Sequence, residues 1–364
     1  MNILTNQPTT EFELINNALS LLGLPTLKNE SEFQRLGEGA WHHAYLVKIE
    51  SEPVVIRLPK KVAYDKEVQF DAHALHAEYA GTQSYYKHAN QAKKGICPQF
   101  FNYHVSEELT FTIESYVGSS LELGLQTNVA SYRYGVELGE FFLAKEQIPS
   151  PVEGLGYLTW NCGKLIGQFD SDLQSFIAQE TEEYEQELEE LLASELQFDK
   201  KRVMQIGKEL IPHRAITGEK PVFTNQDTSP ENLIFREDGV NLIDPYPLIY
   251  TGVSLAANHV HNYKVLFPTF YNVPRYKKHE FHLFEENLLA IANGFIGGYT
   301  QGSIDNKQSL SVEVFLKLLT MTHGHYQLFQ KDILDGEELI RYGTKAQIKE
   351  RLTVFLKMLE NYAI

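Results

Sequence analysis

The stretch 224–247, TNQDTSPENLIFREDGVNLIDPYP, decides how the rest of the chain is read. It carries Asp227, Asn232 five residues on, an apolar run at 233–235, a turn at Glu237-Asp238-Gly239, a second apolar run at 240–243, and Asp244. Two short apolar runs around a Gly-containing turn read as a hairpin. A loop feeding such a hairpin brings three oxygen-bearing side chains close together. One acid on the loop suits the orientation or deprotonation of a hydroxyl. The Asn and the second acid suit Mg²⁺, a hard cation that takes few protein oxygens and leaves room for phosphates. Phosphoryl transfer asks little more of a protein than positioning and charge neutralisation. Asx residues are ordinary in turns, so the spacing across the hairpin carries the reading.

Working outward, residues 11–24 place Phe12, Leu14, Ile15, Leu19, Leu21 and Leu22 near helical spacing, with Gly23 and Pro25 as the stop. The pattern then changes to β-like runs at 32–36, 44–49 and 54–58. Gly37 and Gly39 break the first pair, and Ser51-Glu52-Pro53 breaks the second. Alternation at 54–57 puts Val55 and Arg57 on one face, with Val54 and Ile56 on the other. Residues 60–80 lack Gly and Pro and read as a helix; 100–105 and 109–116 read as strands. Downstream the chain reads as mostly helical, at 129–146, within 169–210, and at 280–296, 310–320 and 345–362. Short strands are expected at 221–224, 233–235 and 240–243. The expectation is an α+β protein of two lobes. Residues 1–115 would form an antiparallel sheet with one main helix, and 116–364 a mostly helical lobe.

The 224–247 pattern resembles the catalytic and metal-binding segment of protein kinase-like folds. In particular it is similar to the aminoglycoside phosphotransferase and choline kinase-like families of small-molecule kinases. The resemblance extends more weakly from residue 33 onward. It implies ATP and Mg²⁺ as cofactors, with Asp227 accepting the proton of an acceptor hydroxyl and Asn232 and Asp244 holding the metal. It places Gly37 and Gly39, within 36–40, in a phosphate-covering loop where glycines let backbone N–H groups approach. Val55 would cover the adenine and Arg57 would reach the α/β-phosphates, with Lys60 as the fallback cation. Glu78 would pair with Arg57, and backbone groups near Glu114 and Tyr116 would bond the adenine edge. Residues 153–170 resemble an insert found near the substrate cleft in parts of the phosphotransferase family.

The sequence also departs from the family. His42 stands where protein kinases have a third glycine, and Asn225 stands where a loop-supporting His is usual. Asp244 is followed by Pro245-Tyr246-Pro247, nearer the Asp-Pro of kinases acting on thioribose or fructosamines. No Ala-Pro-Glu segment follows, which argues against a protein kinase. The chain has no Gly-x-x-x-x-Gly-Lys-[Ser/Thr] and no Gly-x-Ser-x-Gly, so a P-loop and a serine hydrolase are disfavoured.

Composition narrows the classes further. The 364 residues are 43% hydrophobic and 22% charged, proportions of a folded globular protein. Thirty-two basic against 48 acidic residues, a formal charge of −16, argue against a nucleic-acid partner and suit cationic small ligands. No apolar run reaches the ~18 residues that span a bilayer, so no membrane partner is expected. The start lacks a basic segment followed by an apolar one, so no secretory signal is expected. Cys97 and Cys162 read as reduced thiols of a cytoplasmic protein. The run Glu180, Glu182, Glu183, Glu185, Glu187, Glu189 and Glu190 reads as a solvated helix face or, failing that, the rim of a cation-attracting cleft. Thirteen histidines come without zinc spacing; His259 and His261 are the two that fall where they would line the substrate side. Trp41, Trp160, Phe270 and Tyr271 are candidates for an aromatic acceptor face. Two functions remain: a kinase acting on a small hydroxylic molecule (aminoglycoside-like, amino-alcohol or sugar-like), and an inactive kinase-like module. Asn225 favours the second; intact Asp227, Asn232 and Asp244 oppose it.

Overall fold

Successive β-branched residues disfavour a helix and suit a pleated strand, and the run Val54-Val55-Ile56 lies at the centre of a five-stranded antiparallel sheet. A computed structural model describes residues 10–39, 41–50, 52–63, 66–214 and 220–363. The chain begins α1 (Glu11–Leu21), β1 (Phe33–Glu38), β2 (His42–Ile49) and β3 (Glu52–Pro59). Two-residue strands β4 (Val62–Ala63) and β5 (Lys66–Glu67) follow, then α2 (Ala72–Ala92), β6 (Phe101–His104) and β7 (Phe111–Ser115). The sheet order is β1-β2-β3-β7-β6. Register puts Ile56 opposite Ile113 and Tyr45 opposite Ile56. These residues, with Val47, Leu58 and Phe111, share one face and bury Ile15, Ala18 and Leu19 of α1. Val55, Arg57, Thr112 and Glu114 therefore share the other face. The helix expected at 60–80 begins later and ends later, at Ala92. Asp71 caps it by accepting the Ala74 N–H at 3.0 Å, and a cap sets a start more firmly than the absence of Gly and Pro.

The second lobe comprises α3 (Asn128–Glu146), β8 (Leu155–Asn161), β9 (Lys164–Phe169), α4 (Leu173–Ala193), α5 (Lys200–Leu210), β10 (Val222–Asn225), β11 (Leu233–Arg236), β12 (Gly239–Leu242) and β13 (Pro247–Tyr250). It continues through α6 (Gly252–His261), α7 (Phe267–Thr269), α8 (Pro274–Lys277), α9 (Glu285–Thr300), α10 (Ile304–Gln330), α11 (Gly336–Tyr342) and α12 (Lys345–Glu360). The expected hairpin is present as β11 and β12, with Leu233 opposite Leu242 and Arg236 opposite Gly239. A second sheet, β10-β13-β8-β9, was not anticipated. All four residues of β13 are buried, so no alternation marks it as a strand.

The largest core joins α3, α6, α9 and the hairpin to Tyr85, Tyr86 and Ala89 from the end of α2. Between α3 and α9 the backbones nearly touch: Gly135 and Gly139 face the carbonyls of Ile291 and Phe295, while Gly294 and Gly298 face those of Tyr132 and Val136. The acidic run on α4 is only partly a solvated face. Arg214, itself buried, binds Glu180, Glu313 at 2.8 Å and the Tyr250 hydroxyl, while His323 binds Glu190 at 2.7 Å. Thr320 donates to Glu187 at 2.6 Å. Glu180, Glu187 and Glu190 thus hold α4 to its neighbours, whereas Glu182, Glu183, Glu185 and Glu189 are exposed. Among the described residues no helix is long and apolar enough to cross a membrane.

A methyl group at the helix crossing has nowhere to go. Gly139→Ala should cost about 3 kcal/mol or more, read as a fall in the urea midpoint. Gly324→Ala, inside α10 with open space around its Cα, should be neutral or stabilising by up to about 1 kcal/mol.

Candidate functional site

Strand β10 is buried along its length and delivers the loop 226–232 to the cleft between the lobes. Its last residue, Asn225, is 1% exposed. The Asn225 Oδ1 accepts the N–H groups of Asp227 at 3.0 Å and Tyr246 at 2.8 Å, and its Nδ2 donates to the Asp227 carbonyl at 2.9 Å. Gln226 N–H donates to the Tyr246 carbonyl at 3.0 Å. One carboxamide thus stitches the acid-bearing loop to the segment after Asp244. From below, the Tyr263 hydroxyl donates to the Thr228 carbonyl at 3.0 Å, and Thr228 Oγ1 lies 2.7 Å from His259 Nδ1. His259 and His261 are buried, and burial pushes them down to about 3 and about 4. They are neutral core groups and do not line the substrate side.

Asp227 is half-buried, and its Oδ1 accepts the Ser229 N–H at 3.1 Å. Burial raises its carboxyl above the usual range, helped by the charges of Asp244 and Glu231 and opposed by the Ser229 bonds. Asn232 ends the turn Pro230–Asn232, and its Nδ2 donates to the Asp244 carbonyl at 3.2 Å. That bond points the amide nitrogen at the backbone and leaves Oδ1 as the available oxygen. Asp244 stands in the left-handed region, φ 47°, its side chain 48% exposed. One carboxylate and one amide oxygen fit Mg²⁺, which keeps most of its shell for water and phosphates. Among the described residues no cluster of three or more His, Cys, Asp or Glu offers a protein-only metal cage.

Across the cleft, Arg57 lies 4.0 Å from Asp244 Oδ2. Its carboxylate partner is not Glu78 as the resemblance implied. Arg57 Nη2 and Nε donate to Glu114 Oε1 at 2.8 and 3.2 Å, and the Tyr86 hydroxyl donates to Glu114 Oε2 at 3.0 Å. The cause is register: Glu114 lies opposite Val55, on the face that Arg57 shares. Burial works against the Arg57 charge, but Glu114 and Asp244 more than offset it and keep the group protonated. Glu78 is exposed as a residue on α2. Partial desolvation of its carboxyl, with the Asp244 charge nearby, pushes it up to about 7.

Two of the N–H groups near the expected adenine edge are engaged within the fold. Glu114 lies within the ladder, between β3 and β6. Ser115 N–H donates to the Phe100 carbonyl at 3.0 Å, and Tyr116 N–H to Pro53 at 3.2 Å. Those amides are spent holding strands together. Val55 is buried on the cleft face beside Arg57. Gly37 lies in β1, opposite Ala44 at a register shift, and Gly39 lies in the β1–β2 turn, where its N–H donates to the His42 carbonyl at 3.0 Å; Ala40 falls outside the described residues. His42 Nε2 sits 2.8 Å from the Tyr79 hydroxyl, tying this turn to α2. Burial pushes His42 down to about 4 against the pull of Asp244.

The insert at 153–170 is the β8–β9 hairpin. Trp160 stacks on His76 of α2 at 5.2 Å, and Tyr157 meets Tyr246 at 5.5 Å, both tyrosines exposed. Phe270 is 2% exposed in the helical core, so it is no acceptor face. The groups missed in the sequence are Tyr86, His42 and the Glu114 side chain. Tyr79 and Tyr86, seven apart, share one helix face, which was a readable signal.

No protein-family model matches the sequence, and no curated protein matches it. Solved structures do. A thermostable mutant of aminoglycoside phosphotransferase APH(4)-Ia, bound to ADP and hygromycin B, aligns at TM-score 0.54 and 13% identity, over 96% of this chain and 99% of that one. A different thermostable variant of the same enzyme, with AMP-PNP and hygromycin B, gives 0.52 and 14% over 90% and 94%. A putative fructosamine-3-kinase from Thermobifida fusca gives 0.50 and 13% over 96% and 99%. At such identities the likeness establishes the fold, the two-lobed protein kinase-like α+β architecture, across nearly the whole chain.

Proposed function

We propose that this chain is an ATP- and Mg²⁺-dependent phosphotransferase acting on a hydroxyl of a small molecule. The observation that carries this is the convergence of a loop acid, an amide oxygen and a strand-end carboxylate below a guanidinium that lies 4.0 Å from that carboxylate. Arg57 binds and neutralises the α/β-phosphates. Asn232 Oδ1 and the Asp244 carboxylate hold Mg²⁺, which when bound neutralises the β/γ-phosphate oxygens. Asp227 orients the acceptor hydroxyl and takes its proton. Its raised pKa suits that role, because a base works best near the operating pH. Fold does not choose the acceptor. The carboxylates of Glu231 and Asp244 beside Asp227 and the exposed Tyr157–Tyr246 pair suit an amine-bearing or sugar-like alcohol. The three hydrogen bonds of Asn225 supply the loop support expected of a His, which counts against the inactive-module reading.

The direct test is ADP release from Mg·ATP with aminoglycosides, macrolides, choline, thioribose, fructosamines and homoserine. One of them should be turned over, and Asp227→Ala should lower that rate by about 10²–10⁴. Full turnover in the variant contradicts the role of Asp227. The acidic limb of kcat/KM should lie above the ordinary Asp range near ~3.9, with activity lost as pH falls. Glu231→Gln, which removes a neighbouring charge, should move that limb to lower pH.

The pairing of Arg57 makes a separate prediction. Removing the buried partner in Glu114→Ala should cost about 3–5 kcal/mol. Glu78→Gln should act with the opposite sign. Because the folded carboxyl is raised to about 7 from an ordinary ~4.3, ionising Glu78 costs stability as pH rises between those values. The melting temperature of E78Q relative to wild type should therefore improve from pH 5 to pH 8. A pH-independent difference would refute the assignment.

A further inference from the structure

We infer that Tyr86 is a positioning residue for the Mg²⁺-nucleotide site, a role that rests on the phosphotransferase reading. Its hydroxyl bonds to both halves of the site. It accepts the Asp244 backbone N–H at 3.0 Å and gives its own proton to Glu114 Oε2, also at 3.0 Å. The other oxygen of that carboxylate takes both bonds from Arg57. Tyr86 and Glu114 are each 2% exposed, so water is not at hand to replace either bond. Asp244 sits at φ 47°, in the left-handed region that Asp reaches more readily than most non-glycine residues. The phenol holds its peptide on the N–H side, and Asn232 holds it on the carbonyl side.

The chemistry of the phenol suits the task. A hydroxyl donates once and accepts as well, whereas Asp244 N–H needs an acceptor and Glu114 needs a donor. Helix α2 thereby sets the position of Asp244 relative to the Arg57–Glu114 pair. Groups that orient a metal ligand without touching the metal typically influence its affinity by about 10–100-fold.

The test is calorimetric titration of the full chain with ADP, in Mg²⁺ and in EDTA. Wild type should bind ADP more tightly with Mg²⁺. Tyr86→Phe keeps the ring edge-on to Phe101, at 5.5 Å, and loses both hydrogen bonds. It should lose about tenfold or more of the Mg²⁺-dependent gain, while ADP affinity in EDTA stays near wild type. In turnover, kcat should fall with little change in acceptor KM. Phe101→Leu disturbs the packing but not the hydrogen bonds and should keep the gain. A full Mg²⁺ gain in Tyr86→Phe, an equal loss in EDTA, or an equal loss of the gain in Phe101→Leu overturns the inference. Wild type that binds no ADP in Mg²⁺ overturns the phosphotransferase reading itself, and the inference with it.

Discussion

A carboxylate buried in the middle of an antiparallel sheet must be neutralised, or the sheet cannot form around it. Glu114 is that carboxylate, and much of the site follows from how it is satisfied. β3 supplies the guanidinium of Arg57 and α2 supplies the phenol of Tyr86. Both oxygens of Glu114 are used, in charge-assisted bonds that are stronger than neutral ones. The same phenol reaches the backbone of Asp244, so neutralising the strand also fixes the Asp244 end of the hairpin. Nearby, Leu242 N–H donates to the Ile96 carbonyl at 2.7 Å, and Asn241 Nδ2 to Gly95 at 2.6 Å. The sheet lobe and the hairpin are therefore joined by hydrogen bonds beside the site and by shared apolar core beneath it.

The loop bearing Asp227 is held by a different set of residues. Asn225 binds it along its edge, and Thr228 is gripped from below by His259 and Tyr263. His259 is itself sandwiched between Tyr263 at 4.3 Å and Phe295 at 4.2 Å. Phe295 belongs to α9, whose close crossing with α3 depends on four glycines. A chain of packing thus runs from a glycine-lined helix crossing to the acid that would meet the acceptor. Preorganisation of this kind is what positioning-dominated chemistry requires.

Much of this was legible in the residues, because the patterns are local. Spacing across 224–247 was enough to place Asp227, Asn232 and Asp244 around one hairpin, and alternation put Val55 and Arg57 on one face of β3. What was not legible depends on contacts between distant strands. The choice of Glu114 over Glu78 follows from the β3–β7 register, which no single segment encodes. Asn225 read as a defect because one of its three hydrogen bonds reaches Tyr246, 21 residues away. β13 was invisible because full burial erases alternation, and Gly81 punctuated what is one continuous helix. The acidic run on α4 hid its inward members for a similar reason, since their partners Arg214 and His323 lie on other elements.

The central claim is that Arg57 on one side, and Asn232 with Asp244 on the other, enclose a metal-bound nucleotide. A crystal structure with a non-hydrolysable ATP analogue and Mn²⁺ in place of Mg²⁺ tests it most directly, through the anomalous signal of the metal. The account predicts a metal peak at about 2.0–2.2 Å from Asn232 Oδ1 and an Asp244 carboxylate oxygen, with the analogue's phosphates reaching Arg57. A metal peak or nucleotide found elsewhere on the chain, with these three side chains uninvolved, would contradict it.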